Sequence, residues 1–210
     1  LKNSIVKKIF VFGDSVSFGE LVSSNKSWPS LLASYFDTTN NKIIVQNFSK
    51  NGDTTRLALL RLEFDILIRK PEIVIIQFGL NDCNIWTSEF ENSRVNIISF
   101  ENNLIEICKK IYSSGAKKVF LNTNHPTLKK SNFNYQNQSI IYNKSIRNAF
   151  DKLKQEYNIS LIDIESKFNN EIFKDSNFIE KSLLDDGIHL SEFGQIKYYE
   201  IIIEEIKSIL

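Results

Sequence analysis

A three-layer α/β fold, with helices flanking a mostly parallel sheet, is the architecture this sequence predicts, and three observations point to it. Short runs rich in β-branched and aromatic residues alternate with helical patterns along the chain; that order builds right-handed strand–helix–strand crossovers around a parallel sheet. At 210 residues and 42% hydrophobic, the chain is long enough for one well-buried core and short for two. The residues best suited to chemistry mostly follow the strand runs directly, and ligands bind beyond the carboxyl ends of strands in open parallel sheets. A single domain over residues 1–210 is the expectation.

The first run, Lys8 to Phe12, is short, apolar and ends on Gly13, which marks a buried strand. Comparable runs are Ile43 to Phe48, Ile73 to Phe78, Lys118 to Asn122 and Ser160 to Ile164. Between them, Ser27 is placed to cap a helix with Pro29 in its first turn and Leu31, Leu32 and Tyr35 beyond. Leu57, Leu60, Phe64 and Leu67 step by three and four along one face, and Pro71 ends that helix. A third helix runs from about Val95 to Ser114 and closes at Gly115. Asn137 to Tyr157 aligns Ile146, Phe150, Leu153 and Tyr157, and Ser191 caps a last helix with Ile196, Tyr199, Ile203, Ile206 and Leu210 inward.

Composition narrows the partners. A net charge of +1 with interspersed lysines and acids lacks the clustered basic surface that nucleic-acid binding needs. No apolar run approaches the length of about 20 residues that spans a bilayer, and Leu1 to Phe10 is too short and too charged for a signal peptide. A soluble protein follows, placed in the cytoplasm in preference to other compartments. The chain starts at Leu1 and has no methionine, so removal of an N-terminal segment, which could have been a targeting signal, is part of that expectation. Cys83 and Cys108 are read as free thiols. The two histidines and two cysteines are too scattered for a zinc site, and no metal or other cofactor is expected. No Gly-x-Gly-x-x-Gly, Walker or Gly-x-Ser-x-Gly pattern occurs.

Three stretches, Gly13-Asp14-Ser15, Gly79-Leu80-Asn81-Asp82 and Asp186-Gly187-Ile188-His189, together contain the parts of an acyl-transfer site. A serine hydroxyl attacks a carbonyl only when a base takes its proton, and His189 has the better context of the two histidines. Asp186, three residues earlier, can accept from Nδ1 of that imidazole on a tight turn and leave Nε2 facing Ser15. Asn81 through its side-chain amide, with the backbone N–H groups of Gly52 and Ser15, suits the charge of a tetrahedral oxyanion. Taken locally, each stretch also reads as an ordinary turn or strand end. An imidazole base implies activity that rises with pH, and a flat profile from about pH 5 to 8 would count against His189.

In combination these residues resemble the SGNH hydrolases, or GDSL-type esterases. The family's first block matches Phe12-Gly13-Asp14-Ser15, with Val16 where leucine is usual. Its oxyanion glycine matches Gly52 within Asn47 to Gly52, its Gly-x-Asn-Asp block matches Gly79 to Asp82, and its Asp-x-x-His block matches Asp186 to His189. The resemblance covers residues 12 to 189. It implies a flavodoxin-like α/β/α sheet of about five parallel strands in the order 2-1-3-4-5, and a serine esterase with Ser15, His189 and Asp186 as triad and Ser15, Gly52 and Asn81 as oxyanion donors. An O-acyltransferase using the same residues toward a sugar acceptor is the alternative, and a silent binding module the weaker one.

Other residues carry weaker expectations. Asp14 is given a structural role beside the nucleophile, and Cys83 a packing role. His125 either lines the pocket or belongs to the turn made with Pro126; Asn84, Trp86 and Phe133 are further pocket candidates. The segments expected to shape the pocket, Asn84 to Arg94, Asn124 to Tyr135 and Ser166 to Leu184, are mixed in polarity. That rim suits a short, acetyl-like ester of a small molecule or carbohydrate better than a long lipid.

Overall fold

The computed structural model describes residues 7–39, 42–86, 92–129 and 134–209. Five strands, β1 (Lys7–Gly13), β2 (Ile43–Asn47), β3 (Ile73–Gln77), β4 (Lys118–Asn122) and β5 (Ile159–Ile162), form one sheet in the order β2-β1-β3-β4-β5. Every pairing is parallel, which is the expected flavodoxin-like order. The central strands are buried on both faces, as parallel strands covered by crossover helices must be: Ile9, Val11, Phe12, Val74, Ile75 and Ile76 are fully enclosed. That two-sided burial explains their continuous apolar runs.

The helices are α1 (Ser15–Phe18), α2 (Trp28–Thr39), α3 (Thr55–Asp65), α4 (Ile97–Ser113), α5 (Tyr135–Leu153), α6 (Ile164–Lys174), α7 (Phe178–Ser182) and α8 (Glu192–Lys207). α2 packs on α8 through stacked Trp28 and Tyr198 rings, centroids 5.1 Å apart. α4 packs on α5 through Phe100 and Tyr142, centroids 4.9 Å apart. Among the described residues no helix is long and apolar enough to cross a membrane.

The structure corrects four expectations. On α3 the inward face carries Ala58 and Leu62, while Leu57, Leu60 and Phe64 are exposed. Leucines are spread around this helix among Arg56, Arg61, Glu63 and Asp65, so its spacing fits more than one stripe, and the small Ala58 lies on the one that packs inward. On α8 the buried face begins at Gly194, Gln195 and Tyr198, and Ile196 is exposed. A polar Gln195 is inside because its Oε1 accepts the Trp28 N–H at 2.9 Å, an otherwise unpaired donor at the start of α2. Ser27 does occupy the capping position, its carbonyl accepting the Leu31 N–H at 3.0 Å, but its hydroxyl caps nothing and donates toward Ser24 O and Ser30 Oγ. Lastly, Ile164 begins α6 under the Asp163 cap, so the fifth strand run ends early and most of Ser166 to Leu184 is helical.

Candidate active site

Ser15 is the first residue of α1, immediately beyond the carboxyl end of β1, and the helix is capped by Asp14, whose Oδ1 accepts the Val16 N–H at 3.0 Å. His189 lies on the loop between α7 and α8. Its Nε2 is 2.9 Å from Ser15 Oγ and its Nδ1 is 2.5 Å from Asp186 Oδ2. The other oxygen of Asp186 accepts the N–H groups of Ile188 and His189, each at 2.9 Å. One carboxylate therefore shapes the turn and orients the ring that the turn carries. Burial opposes its ionisation, but the hydrogen bonds from Ile188, the His189 ring and the His189 N–H hold the Asp186 carboxyl below the usual carboxylate range.

Gly187 explains how that turn fits. It adopts φ of +68°, and a Cβ there would lie 2.7 Å from backbone atoms of Leu128 and Lys129. Its carbonyl accepts the Leu128 N–H at 2.8 Å. An alanine at this position must take a left-handed conformation, at about 1–2 kcal/mol, and displace one loop from the other. The Gly187→Ala variant is expected to lose about a hundredfold in kcat, since a shift near 1 Å costs that much. Steady-state kinetics alongside a urea midpoint would show it.

The loops around Ser15 are laced to one another by residues from several elements. Lys50 N–H donates to Gly13 O at 3.0 Å, and the Arg61 guanidinium reaches Gly13 O, Phe48 O and Asp53 Oδ2 together. Asp82 Oδ1 accepts both the N–H and the hydroxyl of Thr55, at 2.9 and 2.5 Å, which ties the loop after β3 to the start of α3. Arg94 Nη1 donates to Gly52 O at 2.9 Å and its guanidinium lies 3.9 Å from the centre of the Trp86 ring. Gln77 at the end of β3 accepts from the Ser17 hydroxyl and donates to Asn124 Oδ1, and Asn124 Nδ2 donates to Phe78 O. Gly52 itself sits at φ of +74° with open space where a Cβ would be. Its left-handed conformation, not crowding, calls for glycine.

Two carboxyls beneath this layer are held far from their ordinary behaviour. Asp14 is fully enclosed, and burial, reinforced by the nearby charge of Asp82, raises its pKa to about 7 against the Val16 hydrogen bond. Burial likewise raises Asp82 to about 6, opposed by its bonds from Thr55. Cys83 and Cys108 are free and buried, and burial pushes both thiols up to about 12, so neither ionises readily.

Of the remaining pocket candidates, Asn84 is half-buried with Oδ1 accepting the Ile85 N–H, Trp86 is exposed, and Phe133 lies outside the described residues. His125 does not line a pocket; it is fully enclosed, with Nε2 2.7 Å from Ile188 O. Sequence reading named Ser15, His189 and Asp186, which meet, and assigned Gly52 and Asn81 to loops that flank them. It missed Thr55, Arg61, Gln77 and Arg94. Thr55 had a local signal, following Asp53-Thr54 at a helix start; the others had none.

The GDSL-like Lipase/Acylhydrolase family model matches residues 9–202. The thioesterase 1/protease 1/lysophospholipase L1 of Escherichia coli (strain K12) is 26% identical over 187 residues, 89% of this chain and 77% of that protein. An arylesterase of Vibrio mimicus is 26% identical over 200 residues, 95% and 88% of the two chains. The crystal structure of an acetylxylan esterase from Geobacillus stearothermophilus superposes with a TM-score of 0.79, covering 97% of this chain and 96% of that one. At 18% identity, that last likeness speaks to the fold.

Proposed function

This chain belongs to the GDSL-like lipase/acylhydrolase family and is a serine-type ester hydrolase, and on that premise we propose that Ser15, His189 and Asp186 carry its reaction within one catalytic domain. The observation that carries the assignment is the His189 ring bridging Ser15 Oγ and Asp186 Oδ2. Ser15 Oγ attacks the acyl carbonyl carbon while its proton passes to Nε2, and Asp186 stabilises the imidazolium that forms. Negative charge gathers on the former carbonyl oxygen, where the N–H groups of Ser15 and Gly52 and the Asn81 amide donate. Collapse breaks the ester bond, and His189 returns its proton to the departing alcohol. Water then attacks the acyl-enzyme with His189 again as base, and the acid leaves with Ser15 restored.

The substrate we propose is a short acyl ester, acetyl-like, carried on a small molecule or carbohydrate. The mixed polarity of the loops that follow the strands supports it, as does the fold shared with an acetylxylan esterase. A fluorophosphonate probe tests the nucleophile: one adduct, mapping to Ser15, is expected, and an adduct elsewhere would remove Ser15 from the mechanism. A panel of p-nitrophenyl esters from acetyl to decanoyl, together with acetylated xylo-oligosaccharides, tests the substrate class. The kcat/KM should peak at the acetyl end; a peak at decanoyl would replace this reading with a lipid one. If free sugars in the same assay collect the acyl group in place of water, the enzyme is a transferase.

A further inference from the structure

We propose that His125 is a positioning residue for His189, holding the last loop so that the imidazole of His189 meets Ser15. This deepens the reading above and rests on Ser15 and His189 being the reacting pair. His125 follows β4 and is wholly enclosed, with its ring centroid 5.9 Å from that of Phe168 on α6. Its Nε2 is 2.7 Å from the carbonyl oxygen of Ile188, the peptide unit whose N–H belongs to His189. A carbonyl can only accept, so the proton of the neutral ring sits on Nε2 and donates. Nδ1 is enclosed with no partner among the described residues, so a second proton would add a buried unpaired N–H and a buried charge.

Burial accordingly lowers the pKa of His125 to about 4, and the ring stays neutral wherever an imidazole base is useful. The two histidines thus divide one job. His189 exchanges a proton with Ser15, whereas His125 keeps the same proton and the same hydrogen bond throughout.

The position of this bond gives it leverage. The Gly187 carbonyl is held by the Leu128 N–H at 2.8 Å, and the Ile188 carbonyl by His125. The loop after β4 therefore grips two successive peptide units just before His189, while Asp186 grips the N–H groups of the same turn. Removing the His125 donor frees the Ile188 carbonyl from this bond. The ring it precedes must reach Ser15 Oγ within hydrogen-bond distance, and errors of about 1 Å there cost around a hundredfold.

Three variants separate positioning from general stability. His125→Phe keeps a ring without the donor. His125→Gln carries an amide N–H at a reach similar to Nε2, and His125→Asn carries the same amide one methylene short. With an acetyl ester, His125→Phe and His125→Asn should each lose about ten- to a hundredfold in kcat with KM changed less than about twofold. His125→Gln should recover most of the loss, and fluorophosphonate labelling of Ser15 should slow in the same order. Urea midpoints of the Gln and Asn variants should be close, because both bury an amide. Equal activity of Gln and Asn, or a loss that follows the urea midpoint across all three, would overturn the proposal. Ser15→Ala run beside them keeps the two readings apart. If Ser15→Ala is inactive while His125→Phe turns over like the parent, only the role of His125 fails; if Ser15→Ala stays active, both readings fail.

Discussion

Ser15→Ala lowers ester turnover by several orders of magnitude, about 10⁴ to 10⁶ on the scale of other triad deletions, and abolishes fluorophosphonate labelling. The fold should tolerate the change. Ser15 lies at the first position of α1, where Asp14 supplies the cap, and its hydroxyl bonds to His189. Alanine is the best helix former and removes no packed carbon, so the urea midpoint should stay close to that of the parent. Adding His189→Ala to Ser15→Ala should reduce activity little further, because nucleophile and base act as one unit. The residual rate reports what oxyanion donors and binding supply alone. A double variant far slower than either single one would mean that the two residues act separately.

The pH dependence of stability carries the second large effect. Asp14 has its folded pKa raised from 3.8 to about 7, so between those values the native state holds a proton that the unfolded chain releases. Stability must then fall as pH rises from about 4 to about 7, where this cost is complete. Asp82, raised to about 6, acts in the same direction. Asp65, Asp163 and Asp186 act oppositely, since their folded pKa values are lowered; their contribution is lost as pH drops below about 4. The most stable range is therefore mildly acidic. Each pKa unit is worth about 1.4 kcal/mol, so Asp14 alone accounts for as much as about 4 kcal/mol. Asp14→Asn keeps an oxygen for the Val16 cap and cannot ionise. Urea unfolding at pH 5 and pH 8 should show a clear loss in the parent and a much smaller one in the variant. Identical losses would mean that Asp14 is charged in the folded protein.

Much of the architecture was legible because parallel sheets write their burial into sequence. Ile9 to Phe12 and Val74 to Ile76 are enclosed on both faces, and only strands in that position read as unbroken apolar runs. The candidate site was legible for a related reason: Ser15, Gly52 and Asn81 each follow a strand within a few residues, and the strand order brings those ends together. Asp186 and His189 needed no distant information, since their contact spans three positions.

What escaped was the lacing between loops. Gln77 joins Ser17 across 60 positions, Arg61 joins Gly13 across 48, and Arg94 joins Gly52 across 42. A lone arginine or glutamine has no periodicity that marks such a partner. The faces of α3 and α8 failed for a different reason. Ala58, Gly194 and Gln195 face inward, Gln195 to meet the Trp28 N–H, and an apolar count gives weight to none of them. His125 shows both limits. Its place in the loop after β4 was readable, yet only the folded chain brings the ring against Ile188, 63 positions away.

The 174 positions between Ser15 and His189 also set a clock. During synthesis the proposed nucleophile is made near the start and its proposed base near the finish, with β2 to β5 laid down between them. On the proposed mechanism a nascent or truncated chain ending before the last loop has a serine without its base, and should turn over esters no faster than a His189→Ala variant. Onset of hydrolysis in a refolding or translation reaction would therefore mark the arrival of the last loop at Ser15.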